Sequence, residues 1–198
     1  MPFSTAEARP PKGFHEGPYL QLLFGAMQAN ADGLAQSNTS VGHSVEPVFG
    51  CFFGWNINDQ VAFELVGRYA TTTTFGARQH IIRLNANARA SLITNPLTDF
   101  QSLRIIPFLH AGPVFEAMVL PGDPAAMDLT VRQWSGGIGG GSGVSFFFKE
   151  YIYFSVVGQI DMLRRTTVQQ TIGGTATVTY GGKWSTGAGG LAGLGVHF

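Results

Sequence analysis

The last seventeen residues, Gly182 to Phe198, alternate in period two and end on a phenylalanine carboxylate. One parity reads Trp184, Thr186, Ala188, Gly190, Ala192, Leu194, Val196, Phe198. The other reads Lys183, Ser185, Gly187, Gly189, Leu191, Gly193, Gly195, His197. Successive side chains of a strand point to opposite faces, so this is a strand with one apolar face and one small or polar face.

Seven earlier segments show the same alternation. The eight approximate spans are 17–29, 42–55, 60–72, 79–93, 103–118, 131–148, 151–166 and 182–198. Each is long enough to cross a bilayer as a tilted strand of about 9–11 residues. Asn56-Ile57-Asn58-Asp59 and Lys149-Glu150 read as tight turns, and Thr94 to Ser102 as a somewhat longer link. The opposite ends are joined by Asn30–Val41, Thr73–Arg78, Val119–Thr130 and Thr167–Gly181. Short turns on one side and longer loops on the other make the up-and-down pattern of a transmembrane barrel. An even strand count puts both termini on the short-turn side. Residues 1–16 hold three prolines and no periodicity, and read as a flexible leader. Residues 17–198 then form the barrel, with no room for a second domain.

Composition agrees. Only 12% of the 198 residues are charged, where about 25% is usual for a soluble domain. Twelve basic and twelve acidic side chains cancel, which leaves no electrostatic footprint for nucleic acid. Cys51 is alone, so no intrachain disulfide and no Cys-based metal cluster is expected. The longest apolar run falls far short of the ~20 residues of a spanning helix. Met1 to Lys12 has no apolar core of signal-peptide type. An exported barrel needs such a signal, which is expected to have been removed.

Sorting each strand by parity gives two consistent faces. The proposed lipid face carries Leu20, Leu22 and Phe24, then Phe49, Phe53, Phe63, Leu65, Ile82, Leu84, Leu109, Phe115, Ile138, Val156 and Ile160. The proposed lumen face carries Tyr19, Gln21, Glu46, Glu64, Arg68, Arg83, Asn85, Asn87, Arg89, His110, Glu116, Gln159, Asp161, Arg165 and Lys183. Almost no charge falls on the first face, where an Arg or Lys at mid-bilayer costs about 2–4 kcal/mol. Trp55, Tyr69, Trp134 and Trp184 lie near strand ends, where an interfacial aromatic belt belongs. A soluble barrel of lipocalin type would put its apolar face inside. Its outside would then be poor in Lys and Glu and rich in glycine, so the expected fold is an all-β, transmembrane, eight-stranded antiparallel up-and-down barrel.

Three stretches carry a resemblance. Gly54-Trp55-Asn56-Ile57-Asn58-Asp59-Gln60-Val61-Ala62-Phe63-Glu64-Leu65-Val66-Gly67-Arg68-Tyr69 resembles the second hairpin of the OmpA-like small outer-membrane β-barrel family. Ile106-Pro107-Phe108-Leu109-His110-Ala111-Gly112-Pro113-Val114-Phe115 resembles its Pro-aromatic–Ala-Gly strand, and Gly136 to Phe148 followed by Tyr151 to Phe154 its Gly-rich strand and closing hairpin. The likeness covers most of residues 17–198 and departs from OmpA proper in lacking a peptidoglycan-binding domain. It implies a place in a bacterial outer membrane and Phe198 as the signal read by the barrel assembly machinery. It also implies lipid and lipopolysaccharide as surroundings, and a monomer.

The inward charges Glu46, Glu64, Glu116 and Asp161 against Arg68, Arg83, Arg89, Arg165 and Lys183 invite two readings. An eight-stranded barrel is just wide enough for its own side chains to fill it, so paired charges would make a plug. The inward glycines Gly137, Gly139, Gly141, Gly143, Gly187, Gly189, Gly193 and Gly195 remove side chains from the wall. They point either to a small pore or to room for long side chains from the facing wall. Catalysis needs a nucleophile and a base held together. His43 and Ser44 adjoin but point to opposite faces, and His15, His80, His110 and His197 have no Ser two residues on. No cofactor, metal site or enzymatic activity is expected. The expectation is a non-enzymatic outer-membrane envelope protein with a charge-filled, essentially closed lumen. The alternatives are a small pore for ions or solutes, and a surface adhesin or binding protein acting through loops 30–41, 119–130 and 167–181. The Thr-rich, mostly uncharged stretches 71–74 and 166–179 are read as loop residues, either solvated or open to a partner.

Overall fold

The computed structural model describes residues 17–29, 44–58, 60–74, 77–92, 104–120, 130–148, 151–172, 175–179 and 184–198. Among them nine strands form: β1 (Gly17–Ala29), β2 (Ser44–Asn56), β3 (Val61–Thr74), β4 (Ala77–Ser91), β5 (Arg104–Leu120), β6 (Thr130–Phe147), β7 (Ile152–Ile172), β8 (Thr175–Thr179) and β9 (Trp184–His197). Consecutive strands from β1 to β7 pair antiparallel, β9 pairs with both β7 and β1, and the sheet closes on itself. Eight of these strands build the barrel. The ninth, β8, folds back on the protruding end of β7 through the pairs from Val168↔Thr179 to Ile172↔Thr175.

Two readings of the loops change accordingly. The segment expected as the loop 167–181 contains the end of β7 and all of β8, because its alternating Thr and Val residues suit a strand that continues past the barrel rim. The four threonines 71–74 likewise belong to β3, paired with β4 as far as Thr74↔Ala77. The leader 1–16 and loop residues 30–43, 93–103 and 121–129 lie outside the described residues.

Register fixes the barrel's shape. A walk across hydrogen-bonded partners runs Gly17, Asn56, Ala62, Arg89, His110, Gly141, Gln159, Gly189 and back onto β1 at Met27, ten residues beyond its start. A shear of ten on eight strands, with ~3.3 Å per residue and ~4.8 Å between strands, gives a tilt of about 40° and a backbone radius of about 8 Å. So tight a cylinder bends its sheet hard. At Gly25, Gly112, Gly137 and Gly193 the backbone of the adjacent strand occupies the place a Cβ would take, so a side chain there would force the strands apart. The β2–β3 turn is set by Asn58, whose Oδ1 accepts from the amides of Gln60 at 2.9 Å and Val61 at 2.8 Å. β1 starts and β9 ends at the same rim, where the Phe198 amide donates to the Pro18 carbonyl at 3.1 Å.

The two faces sort as the alternation implies. Phe24, Phe53, Leu65, Leu84, Leu109, Ile138 and Ile160 are exposed on the outside, and Trp55, Tyr69, Trp134 and Trp184 stand outward toward the strand ends. Inward positions are buried. No helix among the described residues is long and apolar enough to cross a membrane. A closed barrel satisfies its backbone groups within the sheet and can therefore lie in lipid.

Candidate functional site: the barrel interior

The interior holds two polar clusters. In the first, Arg68 from β3 donates from Nη2 to Asp161 Oδ2 of β7 at 2.9 Å and to Asn85 Oδ1 of β4 at 2.7 Å. Arg83 of β4 reaches the same Asp161 Oδ2 from Nη1 at 3.2 Å, while its Nε donates to Glu116 Oε2 on β5. Gln159 Nε2 donates to the other oxygen, Asp161 Oδ1, at 2.9 Å. These four charged side chains are each under 5% exposed.

The second cluster turns on Glu64. Its Oε1 accepts from the Tyr19 hydroxyl and from Arg89 Nη1 at 3.1 Å, and its Oε2 lies 3.4 Å from His110 Nδ1. Arg89 also donates from Nη2 to Ser145 Oγ at 3.2 Å, and Ser145 pairs with Ser155 at 2.8 Å. The Arg89 guanidinium lies 3.8 Å from the Phe108 ring centroid, a cation–π contact that supplements its one carboxylate partner among the described residues. At the rim nearest the termini, Tyr19 stacks on His197 at 5.0 Å and Tyr153 on Phe147 at 4.8 Å.

Of the lumen residues expected from the sequence, Glu64, Arg68, Arg83, Arg89, His110, Glu116 and Asp161 are buried inside and brought together. Glu46 is half-buried and accepts from Thr72 Oγ1 at 2.7 Å, away from both clusters. Arg165 stands opposite Ser135 in the β6–β7 ladder, beside an irregularity at Trp134/Ser135. Its side chain and all of Lys183 lie outside the described residues, as do His15 and His43.

The alternation missed how much of the interior is apolar. Leu23, Met27, Val48, Phe52, Val66, Ala70, Ile81, Phe108, Met118, Val157 and Leu191 form one buried cluster there. Their inward parity is readable in the sequence, but an apolar side chain does not by its polarity distinguish lumen from lipid.

The inward glycines also prove to be occupied places. A Cβ on Gly54 would meet the Tyr19 ring, on Gly195 the Tyr153 ring, on Gly143 the Phe108 ring, on Gly139 the Asp161 carboxylate and on Gly141 the His110 ring. Each of these side chains comes from the paired position of the adjacent strand, not from the facing wall. A Cβ on Gly187 would stand 3.5 Å from Nη1 of Arg83, which reaches it from across the barrel in ordinary contact. Among the described residues no group of three or more His, Cys, Asp or Glu could hold a metal ion.

A closed eight-stranded barrel with an apolar outside and hydrogen-bonded charges inside defines the transmembrane class of β-barrel. Comparison with solved structures finds the same fold in small outer-membrane β-barrels. It is similar to Neisserial surface protein A, NspA, with a TM-score of 0.62 at 18% identity, covering 92% of this chain and 97% of that one. The outer membrane protein OprG from Pseudomonas aeruginosa aligns with a TM-score of 0.59 at 15% identity, over 94% and 98% of the two chains. The N-terminal β-barrel domain of Pseudomonas aeruginosa OprF aligns with a TM-score of 0.53 at 14% identity, over 92% and 98%. The likeness is one of fold. No protein-family model and no curated protein matches the sequence.

Proposed function

We propose that this chain is a non-enzymatic envelope protein of a bacterial outer membrane whose lumen is plugged by its own side chains. The observation that carries this reading is the Arg68–Asp161–Arg83–Glu116 chain. It ties β3, β4, β5 and β7 together through the barrel axis with every charge buried and partnered. The occupied glycine positions support it, because the space they leave is taken by Tyr19, Tyr153, Phe108, His110 and Asp161. In an interior about 8 Å in backbone radius, such side chains leave little room for a water column. The Glu64–His110 contact has no nucleophile placed on it among the described residues, which favours a structural role for that histidine.

A second reading, a small pore, draws on a different observation. Arg68 Nε, Asn85 Nδ2, Gln159 Oε1, Asn87 Oδ1 and His110 Nε2 are buried with no hydrogen-bond partner among the described residues. Buried polar groups are almost always satisfied, so these five mark where ordered water would sit. Linked waters would make a leak path. Single-channel recording of refolded protein in a planar bilayer decides between the two. Silence from a barrel that shows heat-modifiable gel migration is the expected result, and stable, reproducible conductance steps would replace the plug with the pore.

A further inference from the structure

The barrel wall parts at one place. β2 and β3 pair from Asn56↔Ala62 up to Val48↔Ala70 and no further. Both strands continue for four residues beyond that rung, β2 back to Ser44 along β1 and β3 on to Thr74 along β4. Pro47 stands at the point of parting and has no N–H to give to a ladder. Thr72 Oγ1 donates to Glu46 Oε1 at 2.7 Å across the gap, on the inner side.

On the outer side the parting opens a groove of about 180 Å³. Its walls are Phe24, Pro47, Phe49, Tyr69 and Thr71, and its floor is Val48 and Ala70. Phe24 and Phe49 face each other with ring centroids 5.0 Å apart. An apolar cavity of ~150 Å³ takes a benzene-sized ligand, so this groove suits a segment of aliphatic chain. Its upper rim is polar. The Tyr69 hydroxyl lies 2.6 Å from His80 Nδ1, and the two rings stack at 6.0 Å. Arg78 occupies the next outward position on β4 beyond His80 and is exposed.

The charges around the barrel are one-sided. Among the described residues every exposed charge is an arginine: Arg78, Arg104, Arg132 and Arg164. The described carboxylates point inward, with Glu64, Glu116 and Asp161 buried and Glu46 held by Thr72. Three of the four arginines stand toward the rim opposite the chain termini, the same rim as the groove. Cations beside an aromatic belt, with no exposed carboxylate side chain among the described residues, are complementary to an anionic headgroup.

The geometry points to a binding site for a phosphate-bearing lipid of the surrounding leaflet, with one acyl chain in the Phe24–Phe49–Tyr69 groove and its phosphate on Arg78. The site requires a barrel set in a membrane but is independent of whether the interior conducts.

The test is native mass spectrometry of the refolded full-length protein in mixed micelles containing lipid A, measuring the fraction that keeps one lipid. Wild type is expected to retain it. Arg78→Gln is expected to weaken retention about tenfold, the worth of one charge-assisted contact. Thr71→Trp, which fills the groove, is expected to abolish it, and Thr71→Leu carries the same expectation with less bulk if the first variant does not fold. Arg104→Gln, at the opposite rim, is expected to behave as wild type. The site is overturned if Arg78→Gln and the Thr71 variants keep lipid A at the wild-type level, or if lipid A stripped of its phosphates is retained equally. Displacement of lipid A by an equal concentration of inorganic phosphate would also overturn it, by showing a phosphate site with no part for the acyl chain.

Discussion

Arg68 and Asp161, ninety-three residues apart in the chain, meet at 2.9 Å inside the barrel from strands β3 and β7, which share no backbone ladder. The wall is held by nearest neighbours, but this contact crosses the interior. Replacing Asp161 with Asn removes the carboxylate on which both Arg68 and Arg83 end, while Arg83 keeps Glu116. An uncompensated buried charge costs about 3–5 kcal/mol, so Asp161→Asn is expected to lower unfolding free energy in lipid vesicles by about that much. The double change Arg68→Met with Asp161→Leu is expected to cost less than Asp161→Asn alone. A wild-type urea midpoint for Asp161→Asn would remove the network from the account of stability.

Glu64 is the only carboxylate that Arg89 contacts among the described residues. Glu64→Ala strands that guanidinium along with the Tyr19 hydroxyl, and Arg68→Ala takes from Asp161 one of its two arginines. Both are expected to lower the temperature at which the folded band converts in heat-modifiable gels, and to raise bilayer conductance from baseline. Unchanged migration together with unchanged conductance in both variants would refute the plug.

The glycine places make a sharper forecast. Gly54→Ala puts a methyl group into the Tyr19 ring, and overpacking of this kind costs about 1–3 kcal/mol. Shortening the intruded side chain, as in Tyr19→Leu with Gly54→Ala, should recover part of the loss beyond simple additivity. A double-mutant cycle on urea unfolding reads the coupling directly, and a coupling near zero would mean the ring moves aside freely.

Depth on the outer face is open to the same measurement. Leu84→Arg, near the middle of β4, is expected to destabilise by about 2–4 kcal/mol in vesicles, whereas Thr186→Arg, near the rim of β9, is expected to cost about 0–1 kcal/mol. Equal costs in vesicles, or the same difference in detergent-free buffer, would deny the outer face its lipid.

Phe198 is 69% exposed, and its backbone amide, not its ring, is hydrogen-bonded to Pro18. Phe198→Ser is therefore expected to leave the refolded barrel within about 0.5 kcal/mol of wild type. In cells the same change is expected to reduce the amount assembled into the membrane, as read by heat-modifiable band intensity. A large loss of stability in the purified protein would make the ring a structural contact and remove the case for an assembly signal.

The alternation of side chains made the fold legible, because a one-residue slip of β3 would have turned both Arg68 and Glu64 out into the apolar face. Seven inward charges could be placed from parity alone. Which of them meet could not, since contacts such as Arg68–Asp161 depend on the shear of ten, and shear is a sum over all eight ladders that no local pattern contains. The parting at Pro47 was hidden for a related reason. A proline in a strand reads as an edge or bulge residue, but only the registers on both sides of β2 show that the gap faces β3. The extent of β7 and β8 was missed because Thr-rich alternation past a barrel rim looks in sequence like an ordinary polar loop.

The interior contacts also bear on the order of assembly. Arg68 arrives on β3 and Arg83 on β4, yet the aspartate that joins them comes only with β7, the seventh of the eight barrel strands. A half-built sheet would therefore present two arginines to whatever fills its concave side. Arg83 meets Glu116 once β5 is in place, but Arg68 has no carboxylate among the described residues until the sheet curls far enough to bring Asp161 across. The wheel gains its spokes only when its rim is joined. A chain stalled before that step is left as an open, wet, cationic trough.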